Sequence, residues 1–222
     1  LDEINFNINA QEKIGIIGRN GYGKSTIIKM ILGDDVPNTG EIKIPKHYKI
    51  GALEQTLNFT ENTLRKEALL GLPVAEQLEV WKVEKMLFGL GFEKQDLEKN
   101  PHDFSGGYQI RLNLAKVLLS DPDLLILDEP TNYLDITSIR WLERFLKNWK
   151  RELIIVSHDK TFLDKVCSHT IMIHRQKTKK MKGGVDKIRN QIKQEEVIHE
   201  QTRQNFEKKR AKTEKFIREF RS

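Results

Sequence analysis

Cysteine is nearly absent. Cys167 is the only one in 222 residues, so no disulfide can close within the chain, and a reducing, cytosolic setting fits best. Long apolar runs are missing as well. Leu124–Leu127 and Leu153–Val156 fall far short of the ~20 residues a membrane-crossing helix needs. The start carries no basic-then-apolar pattern of a secretory signal. Aromatic residues make up only 8% of the chain, and no internal repeat or low-complexity tract occurs. The sequence opens at Leu1, not Met, and partway into a strand pattern, which reads as a fragment of something longer.

Charge is plentiful but unevenly placed. From Arg175 to Ser222 there are 16 Lys and Arg against 7 Asp and Glu, whereas the first 174 residues carry the remaining 22 and 25. A slightly acidic body therefore precedes a strongly basic tail. Such a tail suits a polyanionic partner, nucleic acid or an anionic membrane surface, or is a solvated lysine-rich helix.

Periodicity gives an alternation of strands and helices, which predicts an α/β fold. Strands are expected at Ile4–Ile8, Lys13–Ile17, Glu41–Ile44, Lys49–Leu53, Leu124–Leu127, Leu153–Val156 and, as the last, Thr170–Ile173. Helices are expected at Lys24–Leu32, Thr63–Leu70, Glu76–Gly89, Gly106–Ser120, Ser138–Trp149 and Thr161–Val166. The uniformly apolar runs at Leu124–Leu127 and Leu153–Val156 read as central strands of a parallel sheet covered on both faces. From about Val185 to Arg221 there is no proline and only a thin apolar stripe, which predicts a charged helical rod roughly 55 Å long.

Three clusters carry chemistry. Gly18-Arg19-Asn20-Gly21-Tyr22-Gly23-Lys24-Ser25 fits G-x-x-x-x-G-K-[ST], follows a strand and opens a helix. Glycines let successive amides turn toward phosphate oxygens, and the helix start adds partial positive charge. Lys24 is placed to reach the β- and γ-phosphates of ATP, and the Ser25 hydroxyl to ligate Mg²⁺; Thr26 follows in the same turn. The strand Leu124–Leu127 ends in Asp128-Glu129, where Asp128 is suited to the magnesium side and Glu129 to polarising an attacking water. The strand Leu153–Val156 ends in Ser157-His158, and His158 is a candidate to contact the γ-phosphate and hold that water. Taken singly, two carboxylates at a strand end are equally compatible with a solvated turn, and a lone histidine there is more often structural or solvated.

In this order the residues resemble the ATP-binding cassette superfamily over nearly all of Leu1–Ile173. Ser105-Gly106-Gly107 matches the signature that binds the γ-phosphate of ATP held by a partner cassette. Gln55 matches a loop glutamine that touches Mg²⁺, and Leu134-Asp135 matches the loop that crosses to the partner. The resemblance thus implies a P-loop NTPase fold with a helical subdomain at about 56–120, and ATP and Mg²⁺ as cofactors. It places a cassette at 1–174 and a basic helical linker at 175–222.

Asp128-Glu129-Pro130-Thr131-Asn132-Tyr133-Leu134-Asp135 is similar to the form typical of the F subfamily, with Tyr133 where His is usual. Proteins of that subfamily join two cassettes in one chain, lack membrane domains, and act at the ribosome between tRNA and the large subunit. The resemblance therefore implies a cytoplasmic ATPase whose partners are a second cassette and ribosomal RNA or tRNA. The basic tail would gain affinity for RNA by releasing counterions. The alternative is the ATPase subunit of a membrane transporter, which shares every ATP motif. A DNA-repair ATPase with coiled-coil arms fits poorly, because only 48 residues separate Gln55 from Phe104. That spacing also implies a short helical arm, or one missing near Gly71–Pro73. Tyr108 stands where the signature usually carries Gln.

Overall fold

A computed structural model describes residues 4–19, 21–53, 57–174, 177–195, 197, 201, 202, 204, 206 and 207. The chain divides into two compact units, Leu1–Gly184 and Val185–Ser222.

The first unit is built on six strands: β1 (Lys13–Gly18), β2 (Ile50–Ala52), β3 (Leu124–Asp128), β4 (Glu152–Val156), β5 (His169–His174) and β6 (Lys177–Lys182). They lie in the order β2-β3-β4-β1-β5-β6. All neighbours run parallel except β6, which returns antiparallel along β5. Residues 124–127 and 153–156 are fully buried, as uniform apolar runs in a two-sided sheet must be.

Six helices accompany the sheet: α1 (Lys24–Leu32), α2 (Leu64–Leu69), α3 (Val80–Gly89), α4 (Gly106–Leu119), α5 (Ile136–Lys147) and α6 (Lys160–Val166). Helix α1 sets Ile27, Ile28 and Ile31 into a core with Ile14, Ile16, Ile126, Ile154 and Ile171. It ends at Gly33, whose φ of 84° is left-handed, with the amide of Asp34 returning 2.9 Å to the carbonyl of Lys29. Helix α5 begins at Asp135, whose carboxylate accepts the Ser138 amide at 2.8 Å. Its buried residues Ser138, Leu142 and Leu146 recur every fourth position, one stripe of an amphipathic helix. Helices α2, α3 and α4 pack on one another and form the helical portion between β2 and β3.

Four details depart from the sequence expectation. Ile4–Ile8 and Glu41–Ile44 form no strand, although burial alternates along residues 4–8 as the pattern demands. Alternation records which side chains face apolar surface, while a strand also needs a ladder partner, and neither segment pairs with one among the described residues. Glu76–Gly89 divides into a 3-10 turn at Val74–Glu76 and helix α3. The sheet does not stop at Ile173, because β6 adds a lysine-rich edge. Such residues suit an edge strand, where charge discourages further pairing.

Beyond Gly184 a helix covers residues 185–195, and most of the remaining expected rod lies outside the described residues.

Candidate nucleotide site

Strand order assembles the site. Because β4 lies between β3 and β1, the carboxyl ends of three adjacent strands bring together Asp128-Glu129, Ser157-His158 and the glycine-rich loop after Gly18. Open parallel sheets bind ligands at this end, where neighbouring connections diverge. The register sets Asp128 beside Val156, and Val156 beside Ile16.

The loop has the shape an anion requires. Gly21 and Gly23 adopt φ of 79° and 86°, in the left-handed region that a side chain disfavours. A Cβ at Gly21 would meet nothing within 4 Å, so the loop is open on that side. Gly23 caps α1 without a side-chain bond, leaving the helix start to backbone amides. The Lys24 ammonium donates to the loop carbonyls of Gly18 at 2.9 Å and Arg19 at 3.3 Å, which folds the cation over the cradle. Ser25 and Thr26 are exposed in the first turn of α1. Asn20 and Gln55 lie outside the described residues.

Glu129 is held in a strained backbone. Its φ of 47° is left-handed for a residue with a side chain. The Glu129 amide donates to the carbonyl of Val156 at 2.8 Å, locking the turn onto β4. Its Oε2 receives the Ser157 hydroxyl at 3.3 Å and the His158 amide at 3.4 Å. Its Oε1 is buried and accepts no hydrogen bond, with Nε2 of His158 3.5 Å away. A buried carboxylate oxygen without a donor is costly unless something fills the role. The chemistry of that oxygen suits a water or a hydrated cation as its partner.

Partial desolvation at the strand end raises the Asp128 carboxyl above its ordinary range. The adjacent Glu129 carboxylate adds to this, while the Lys24 ammonium and His158 oppose it. Among the described residues no group of three or more His, Cys, Asp or Glu is arranged to hold a metal ion by itself. The donors on offer are hydroxyl and carboxylate oxygen, the set Mg²⁺ uses when phosphate and water complete its shell.

Ser105 caps α4, and Gly106 and Gly107 open its first turn. A Cβ on Gly107 would meet the Tyr133 ring at 4.0 Å, so the signature adjoins the Tyr133–Asp135 turn. Tyr108 packs edge-on against Phe92 at 5.4 Å and beneath the Arg111 guanidinium at 4.6 Å. Two residues now engaged at these motifs were not singled out in the sequence. Ser157 was visible as the polar residue before His158, and Arg111 as the only cation on the first two turns of α4.

Residues 1–132 match the protein family described as ABC transporter. The chain belongs to the ATP-binding cassette family. It is 34% identical over 206 residues to the probable ATP-binding protein YheS of Escherichia coli K12, covering 79% of this chain and 32% of that protein. It is 31% identical over 227 residues to ATP-binding cassette sub-family F member 3 of Rattus norvegicus, covering 85% of this chain and 31% of the relative. This cassette thus spans about a third of the length of the curated relatives it matches. Among solved structures, an ATP-binding subunit of an ABC transporter superposes with a TM-score of 0.70 at 26% identity, covering 84% of each chain. No helix among the described residues of the cassette is long and apolar enough to cross a membrane.

Proposed function

We propose that this chain is one ATP-hydrolysing cassette of a cytoplasmic F-type protein that works as an ATP-driven switch at the ribosome. The observation that carries the ATPase reading is the convergence of Lys24, Asp128, Glu129 and His158 at three adjacent strand ends, with one carboxylate oxygen of Glu129 lacking a donor. Gly18–Thr26 cradles the triphosphate and Lys24 neutralises its charge. Glu129 orients and deprotonates the attacking water, and His158 holds it near the γ-phosphate. Ser25, Asp128 and Gln55 would hold Mg²⁺, which when bound would neutralise charge on the phosphate oxygens.

Ser105, Gly106 and Gly107 serve ATP held by a second cassette. The threefold greater length of the relatives supports room for one in the same protein. The sub-family F name of one relative supports the F-type reading, from which the resemblance implies the ribosome, and the 16-to-7 excess of basic residues after His174 favours an RNA partner. On this reading the ATPase domain runs past the expected boundary at 174 to take in β6, and the basic segment after Gly184 is the linker.

The test uses the full-length protein. Glu129→Gln keeps the shape of the side chain but removes the base, so it should trap the ATP-bound state and pellet with ribosomes in ATP but not ADP. Failure to co-sediment, with ATP binding intact, would favour a transporter subunit.

A further inference from the structure

The Arg111 side chain, 11% exposed, lies on α4 one turn after the signature. Its Nε donates to the carbonyl of Tyr133 at 2.6 Å. Its Nη1 donates to the carbonyl of Leu90 at 3.2 Å and to Oδ2 of Asp135 at 3.1 Å. The face of the guanidinium rests on Tyr108, the residue that replaces the usual signature Gln. One planar group thus ties three places together: the signature helix, which carries both Arg111 and Tyr108, the turn before α5, and the end of α3.

The surroundings are shaped to this group. Gly91 has φ of 88°, and a Cβ there would come within 2.8 Å of Nη1 of Arg111 and 2.9 Å of Oγ of Ser138. Only glycine lets the α3 terminus close onto the guanidinium. Asp135 is at once the acceptor for Arg111 and the cap of α5, so the same carboxylate fixes the helix start and the cation. A lysine carries its three donors on one mobile nitrogen, and cannot present separate, fixed nitrogens to Tyr133 and to Leu90 and Asp135.

We propose that Arg111 is a positioning residue that makes the Ser105–Gly107 helix start and the Tyr133–Asp135 turn move as one body. This inference rests on the two-cassette reading above, in which both segments face the second cassette. Arg111 touches neither the glycine-rich loop nor Glu129 in any contact described above. Its loss should therefore leave ATP capture at Lys24 intact and disturb only the surface offered to the partner's nucleotide.

The experiment is a double-mutant cycle in the full-length protein, with Arg111→Met and Ser105→Ala, reading kcat, KM and the affinity for a fluorescent ATP analogue. Arg111→Met should lower kcat at least tenfold, with analogue affinity within twofold of the parent and Arg111→Lys recovering less than a third of the loss. The double variant should be no slower than the slower single variant, because both changes act through one helix start. Multiplicative losses, or an Arg111→Met protein that turns over within twofold of the parent, would overturn the positioning role while leaving the two-cassette reading standing. If Ser105→Ala turns over like the parent, that reading itself falls, and the positioning role with it. Should Arg111→Met fail to fold, Arg111→Lys carries the same cycle, since it keeps the stem and the charge.

Discussion

Nε2 of His158 lies 3.5 Å from Oε1 of Glu129, although 29 positions separate the two residues in the chain. The oxygen it faces is the one that accepts no hydrogen bond. A water bridging the two would be held by the ring and polarised by the carboxylate. His158→Ala should therefore lower ATP turnover about 10²-fold, the scale of a misplaced reacting group, with nucleotide affinity little changed. Phosphate release and a nucleotide titration on the same preparation check this.

Removal of the Lys24 ammonium deletes the cation that folds over the loop. A charge-assisted hydrogen bond is worth about 1.5–3 kcal/mol, or roughly a 10- to 100-fold change in affinity. Lys24→Ala should weaken ATP binding on that scale. Unchanged affinity by titration calorimetry would contradict the site.

Glu12 links the start of β1 to the lysine-rich edge strand. Burial acts to raise its carboxyl pKa, but the Asn9 amides and the Lys180 ammonium outweigh it and hold the value near 2, below its ordinary 4.5. His169 also faces it, at 3.5 Å. A depressed carboxylate contributes stability that is fully present above its unfolded pKa and is lost as pH falls toward the folded one. The contribution, on the order of 3 kcal/mol, should disappear between about pH 5 and pH 2. Glu12→Gln should be less stable than the parent at pH 7 and show a flatter acid limb in urea titrations.

An ion pair with a fully buried carboxylate anchors the helical portion. The Glu67 carboxylate on α2 is 0% exposed and accepts the amides of Thr60 and Glu61, each at 2.9 Å, and the ammonium of Lys116 on α4. Glu67→Ala leaves a mostly buried cation and two amides without their acceptor. Loss of one partner of such a pair costs about 3–5 kcal/mol. Urea unfolding should report a loss of that size, and Glu67→Gln, which keeps an acceptor for the amides, should lose less.

The glycine-rich loop could be read directly because its chemistry is local. Eight consecutive residues, the apolar strand before them and the helix after them carry all the information, and α1 follows at Lys24 as expected. Asp128-Glu129 and His158 were also visible, as polar residues that end uniformly apolar strands. Ile4–Ile8 and Glu41–Ile44 were misread as strands because a two-residue period records facing, not pairing. Arg111 was overlooked because its partners Leu90, Tyr133 and Asp135 are 21 to 24 residues away and mostly offer carbonyl oxygens, which every residue possesses.

By itself the sequence determined the residue types at the nucleotide site, the apolar character of β3 and β4, and the basic balance after residue 174, since each follows from composition or short-range spacing. Tertiary structure alone decided that β4 runs between β3 and β1, which joins Asp128, His158 and the loop after Gly18 into one surface. It also decided that one guanidinium ties the signature helix to the turn before α5. Strand neighbours and side-chain partners depend on how the crossovers pack, and no local pattern encodes that.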